Sequence, residues 1–301
     1  MREFVVGAGE AGERVDKLVG AHLHASRAAV RRLIERGAVH VGGRRARKGQ
    51  RLAAGQRVVV SETVPPPEAL RPLPEPDAPL SVIAVDPDWV AIAKPAGPPS
   101  HPLAPAERGT VANALVARFP ECADASTDPR EGGLVHRLDG GTSGVLLAAR
   151  SRPAWLGLRE AFRSGQVEKH YLALVAGAPA SEHGVIAAPL ESRGRRAVVD
   201  AGGRPARTEW RVIERLAGGL TLLALSTRTG RMHQVRAHLA YAELPIVGDR
   251  LYGGPPGESG LCGHFLHAAR IVLPGGRELL APLPPDRQTL LHRLGARSSI
   301  P

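Results

Sequence analysis

Residues 132–149 read GGLVHRLDGGTSGVLLAA. The last six are a short run of Gly, Val, Leu and Ala, the pattern of a buried strand. Ahead of it stand His136, Arg137 and Asp139, then a Gly140-Gly141 turn with Thr142, Ser143 and Gly144. Charge at the mouth of a buried strand costs desolvation unless it is paired, so the triplet is either a structural salt-bridge loop or a place where chemistry is done.

Around this stretch lie further β-rich runs: SVIAV at 81–85, WVAIA at 89–93, YLALVA at 171–176 and LTLLALS at 220–226. Helical patterns fall at 110–118, 153–164 and 231–241. Strands and helices without a strict βαβ beat predict an α+β domain on a largely antiparallel sheet with flanking helices. Two more segments are polar for their apolar settings. EKHYLALVAG (168–177) opens on Tyr171, one of three tyrosines. RTGRMHQVRAHLA (228–240) gathers Arg231, His233, Gln234, Arg236 and His238 at the expected start of a helix. His233 and His238 are five apart, off a common helical face, and HExxH is absent, so no metal site is read here. Arg and amide groups at a helix start suit a phosphate or a carboxylate.

The 301 residues carry 40 Lys+Arg against 29 Asp+Glu, a formal net charge of +11. Residues 1–60 hold 13 basic and 5 acidic side chains, or +8, leaving +3 for the rest. A basic module on a nearly neutral body implies a polyanionic partner. Seven prolines in 61–80 predict an extended connector. The predicted organisation is a basic module at 1–62, a linker at 63–80 and the main domain at 81–301. In the module, Val15, Leu18, Val19 and Leu23 form one helical stripe. Ser26 and Gly37 bracket a second helix, over 27–36, whose Val30, Leu33 and Ile34 lie opposite Arg31 and Arg32. Arg27, Arg31 and Arg32, with Arg44, Arg45, Arg47 and Lys48 of the following RRARK loop, are the candidate phosphate contacts. Gly7, Gly9 and Gly12 match a dinucleotide-binding turn, but the acid expected about 20 residues on is Arg32, so that reading is set aside.

Two cysteines cannot build a disulfide framework or a conventional zinc site. The N-terminus lacks a signal-peptide pattern, and no run of about 18 apolar residues occurs. The expectation is a cytoplasmic protein without membrane association.

His136-Arg137-Leu138-Asp139 followed by Thr142-Ser143-Gly144 resembles the HRLDxxTSG motif of RluA-type RNA pseudouridine synthases. Other segments are similar to that family in the same order: AIAKPAG (91–97) with His101-Pro102, GTVANAL (109–115), KHYLALVAG, TGRMHQVRAHLA, LPIVGDRLYGG (244–254), and FLHAARIVL leading to APLPPD (265–286). Residues 13–60 resemble the alpha-L RNA-binding domain of a small-subunit ribosomal protein. The resemblance implies a pseudouridine-synthase-like fold with an N-terminal α+β RNA-binding domain, and an isomerase that turns uridine into pseudouridine. Nothing is oxidised or lost in that reaction, so no cofactor and no metal is implied. By resemblance Asp139 is the catalytic carboxylate, serving as nucleophile or in taking the ribose 2′ proton. Arg236 is its salt-bridge partner, Tyr171 packs on the target base, and Arg137 helps fill the space of a flipped nucleotide. The implied partner is RNA, large-subunit ribosomal RNA ahead of transfer RNA, with no obligate protein partner. A noncatalytic RNA-binding or ribosome-assembly factor is the alternative class. The chain departs from the family pattern at Met232, where Ser or Thr is usual, and at Gly140-Gly141, where the pair is often charged with Asp second.

Overall fold

A computed structural model describes residues 1–23, 25, 27–62, 67–257 and 260–297. Ser26, read as a helix cap, lies outside them, and so do the side chains of Arg27 and Arg32. Two compact units divide the chain, Met1–Leu70 and Arg71–Pro301.

The first unit runs β1 (Arg2–Val5), α1 (Val15–Leu23), α2 (Arg27–Glu35), β2 (Val39–Val41), β3 (Arg44–Arg45) and β4 (Arg57–Val60). Its antiparallel sheet has the order β1-β4-β2-β3. Val15, Leu18 and Val19 of α1 and Val30, Leu33 and Ile34 of α2 close over Val39, Val41, Val58 and Val60 in one buried cluster, as the 3.6 and 2 periodicities require. Gly37 ends α2 at φ +75°, a left-handed conformation that suits glycine. The glycine turn at 7–12 follows an edge strand paired antiparallel with β4, not the parallel βαβ unit that a dinucleotide site needs.

The second unit runs β5 (Val82–Val85), β6 (Trp89–Lys94), α3 (Val111–Arg118), β7 (Ser143–Ala149), α4 (Arg152–Arg163), β8 (Glu168–Ala176), β9 (His183–Ile186), β10 (Leu190–Arg193), β11 (Arg196–Val199), β12 (Thr208–Leu216), β13 (Leu220–Thr227), α5 (Gln234–Tyr241), β14 (Leu266–Val272), β15 (Glu278–Leu280) and α6 (Pro285–Arg293). One sheet takes the order β5-β6-β7-β14-β8-β13-β12-β9, with β15 added to β14, while β10 and β11 form a separate hairpin. The β7–β14 pair is parallel and the other pairs are antiparallel, which agrees with the α+β expectation.

All seven residues of β7 are buried, because both faces of the sheet are covered there. Val145, Leu147 and Ala149 pack with Trp155 and Ala161 of α4; Leu146 and Ala148 pack with Leu115 of α3, Leu134 and Leu138. Gly144, at φ +125°, lies where a Cβ would come within 2.2 Å of the Ala268 carbonyl oxygen. Only glycine lets β7 and β14 approach this closely. The proline-rich stretch is fastened to the second unit from Arg71 onward: Asn113 Nδ2 donates to the Leu73 carbonyl (2.8 Å) and Glu75 accepts from the Gly109 amide (2.8 Å). The connector is therefore shorter than the prolines suggest. Prolines set an extended backbone, but their carbonyls remain free to accept from a neighbour.

Candidate active site

Segment 132–149 enters β7 from a loop whose charged triplet separates by role. His136 Nε2 accepts from the Leu147 amide (3.0 Å), and the ring stacks on Phe162 at 4.6 Å. Burial pushes its pKa down to about 3, so His136 is a neutral structural acceptor. Arg137 is exposed and joins no ion pair among the described residues. Leu138 is pinned by Ser100, whose Oγ donates to the Leu138 carbonyl (2.7 Å) and accepts from its amide (3.1 Å). The next side chain, Asp139, is therefore delivered from a fixed backbone.

Asp139 Oδ2 accepts from Arg236 Nη1 at 2.8 Å, joining two segments 97 residues apart. The same guanidinium grips Asp249 through Nε (2.7 Å to Oδ2) and Nη2 (2.8 Å to Oδ1). Burial acts to lower the Arg236 pKa, but the hydrogen bonds to Asp249 and Asp139 overcome it and raise it, so the cation is permanent. The fork-to-fork grip fixes the guanidinium plane and leaves one N–H aimed at Asp139. His233 adds Nε2 at 3.7 Å from Asp139 Oδ1, and its Nδ1 lies 3.2 Å from the Tyr252 hydroxyl.

The helix expected over 231–241 begins at Gln234, because His233 sits in the left-handed region at φ +52°. Only Arg236 and His233 of that motif face the carboxylate. Gln234 is buried and its Nε2 donates to the Arg207 carbonyl, Thr208, Thr227 and Thr229. His238 bridges Thr208 and the Ala188 carbonyl, and Arg231 Nε donates to the Pro205 carbonyl. Met232 fills an apolar patch with Val199, Ala237 and Tyr252, so the departure there is a packing change. Tyr171 of β8 packs against the clusters on both sides of the loop. Burial, with the Asp139 charge adding to it, pushes its phenol pKa up, so the ring is a neutral apolar plate.

Sequence reasoning gave no role to Asp249 or to Lys94. Lys94 is 2% exposed, and its Nζ donates to the carbonyls of Pro95 (2.8 Å), Gly140 (3.0 Å) and Thr142 (3.0 Å). Burial lowers its pKa to about 8, with Asp139 opposing. A lysine closing the apolar strand WVAIAK was the available signal. For Asp249 it was a lone acid among glycines and apolar residues.

In the first unit Arg31, Arg44, Arg45, Arg47 and Lys48 are exposed. Glu3, Glu10, Glu13 and Asp16 are paired with Arg57, His22, Lys17 and Arg14, and Arg36 pairs with Glu62. None of the five exposed cations joins an ion pair among the described residues, so β3 and the turn after it carry uncompensated positive charge. No described helix is long and apolar enough to cross a membrane.

Comparison with known proteins gives concordant matches. A family model described as RNA pseudouridylate synthase matches residues 88–241, and an S4 domain model matches residues 13–58. A Chloroflexus aurantiacus protein named as an uncharacterized RNA pseudouridine synthase is 42% identical over 308 residues, covering 99% of this chain and 95% of its own. Ribosomal large subunit pseudouridine synthase D of Xanthomonas campestris pv. campestris is 35% identical, with 98% and 92% covered. Among solved structures, human RNA pseudouridylate synthase domain containing 4 superposes with a TM-score of 0.57 at 26% identity, covering 71% of this chain and 93% of that one.

Proposed function

Because the chain belongs to the RNA pseudouridylate synthase family and is an isomerase acting on RNA, we propose that Asp139 is its catalytic carboxylate. The observation that carries this is the 2.8 Å contact between Arg236 and Asp139. A permanent cation keeps a carboxylate ionised in a partly desolvated loop, and an ionised carboxylate is what cleavage at the ribose C1′ requires. In the reaction the N1–C1′ bond breaks, uracil turns while held, and C5 joins C1′. The C5 hydrogen leaves as a proton and N1 gains one, so nothing is oxidised.

Tyr171 offers its flat, uncharged ring to the base, since stacking tolerates reorientation in the ring plane. Arg137, exposed one residue from the loop leucine, occupies the space that the flipped nucleotide leaves. The cations Arg31, Arg44, Arg45, Arg47 and Lys48 hold phosphates without regard to sequence, and Arg27 and Arg32 belong to the same handle. The target is large-subunit ribosomal RNA in the cytoplasm, a reading supported by the name of the Xanthomonas relative.

The test is tritium release from C5-labelled uridine in unmodified large-subunit ribosomal RNA and transfer RNA transcripts. The wild type should release tritium from the ribosomal transcript, and Asp139→Asn should release none. Undiminished release by Asp139→Asn would remove the carboxylate from the mechanism, while release from the transfer RNA alone would correct the target.

A further inference from the structure

The turn that follows Asp139 is bound at three successive carbonyls by two buried cations. Lys94 takes those of Gly140 and Thr142, and Arg287 takes that of Gly141 (Nη2, 3.2 Å). Arg287 belongs to α6, 146 residues further along the chain, and is 0% exposed. The same Nη2 reaches the carbonyls of His264 (2.8 Å) and Cys262 (3.2 Å), and Nη1 donates to Asp286 Oδ2 (2.8 Å). Its buried Nε has no partner among the described residues.

A buried guanidinium with an unpaired donor is costly, and an apolar side chain of similar volume usually serves packing as well or better. Packing alone therefore does not account for arginine at this position. The strand side of the clamp is specific too. His264 Nε2 lies 2.8 Å from Thr142 Oγ1. A Cβ on Gly141 would come within 2.9 Å of His264 Nδ1, and one on Gly263 within 2.7 Å of the Gly141 Cα. The two glycines let the loop and the segment entering β14 touch backbone to backbone, with Arg287 across both. Thus the Gly141 departure from the family pattern goes together with a second glycine, at 263, and a buried arginine.

We propose that Arg287 is a positioning residue for the isomerisation, fastening the Gly140-Gly141 turn to the 262–264 segment so that Asp139 stays in line with Arg236. The proposal rests on the reading of Asp139 as the catalytic carboxylate. Displacing a reacting group by about 1 Å costs on the order of 100-fold in rate, so a residue that touches no substrate has this leverage.

Arg287→Met, Arg287→Lys and Asp139→Asn should be compared with wild type by steady-state tritium release on the transcript that the wild type modifies, together with hydrogen exchange of the 138–146 peptide. Arg287→Met should lose about 10- to 100-fold in kcat with KM nearly unchanged. Exchange should quicken at 138–146 and not in β5–β6. Arg287→Lys, which keeps charge and volume but lacks the fork that spans three carbonyls, should recover only part of kcat. If Arg287→Met fails to melt cooperatively, Arg287→Lys decides on the same criteria. Wild-type kcat in the folded variants, with Asp139→Asn inactive, would overturn the clamp and leave the carboxylate standing. Full activity of Asp139→Asn, or no release by the wild type from either transcript, would overturn the carboxylate and the clamp with it.

Discussion

Arg236 is shared between two carboxylates, and the geometry divides the work. Asp249, with a side chain 1% exposed, takes two of the hydrogen bonds, and Asp139, 20% exposed, takes the third. The deeper acid holds the cation still, and the shallower one faces the site. Asp249→Asn leaves the guanidinium with one charged partner, and breaking a buried pair in this way costs about 3–5 kcal/mol. Urea denaturation should show a loss of that order, and tritium release should fall although Asp139 is intact. A variant as stable and as active as wild type would mean that Asp139 alone orients Arg236. Asp249 stands in a motif that the sequence showed, yet its task did not, because it depends on which side chain of α5 turns toward it.

At the scale of elements, two local conformations carry function. The start of α5 is displaced to Gln234 by the left-handed His233, a geometry that costs a non-glycine residue about 1–2 kcal/mol. His233→Ala and His233→Gly both remove the hydrogen bond to Tyr252, but glycine relieves the backbone. His233→Gly should therefore be the more stable of the two by about 1 kcal/mol in urea melts; the reverse order would show that the backbone there is unstrained. The periodicity of TGRMHQVRAHLA extends the helix too far because it registers apolar spacing, and the positive φ comes from tertiary contacts to Asp139 and Tyr252. In the first unit, β3 and its turn carry the uncompensated cations. Arg44→Glu with Arg45→Glu should weaken RNA binding and lower the salt slope by about 0.7 for each phosphate no longer neutralised. Affinity measured between low and moderate salt checks this, and an unchanged slope would show that these side chains do not meet phosphate.

Over the whole molecule, buried titratable groups surround the sheet that holds the site. Burial lowers the pKa of His264 and His267 to about 4 from an ordinary 6.5. Between those values the unfolded chain binds protons that the folded chain refuses. Stability is thus fully present above about pH 6.5 and is lost as pH falls toward 4, by about 1.4 kcal/mol per pH unit for each histidine. Urea melts at pH 7 and pH 5 should show the fall, and His267→Gln should make it shallower. An equal slope in that variant would assign the acid sensitivity elsewhere.

The amino-acid sequence by itself determined the basic module, the strands at 82–85, 89–94 and 220–227, the α+β class and the residues that carry the family motifs. These follow from local charge and from periodicities of 2 and 3.6, which any short window contains. It left unread the hairpin at 190–199 and the charged strand 208–216, where apolar alternation is weak. Only the tertiary structure decided that His136 and Gln234 are structural, that Asp249 holds Arg236, and that Lys94, His264 and Arg287 converge on one turn. The reason is physical: a charged side chain takes its role from the partner it meets on burial, and these partners come from segments up to 146 residues apart.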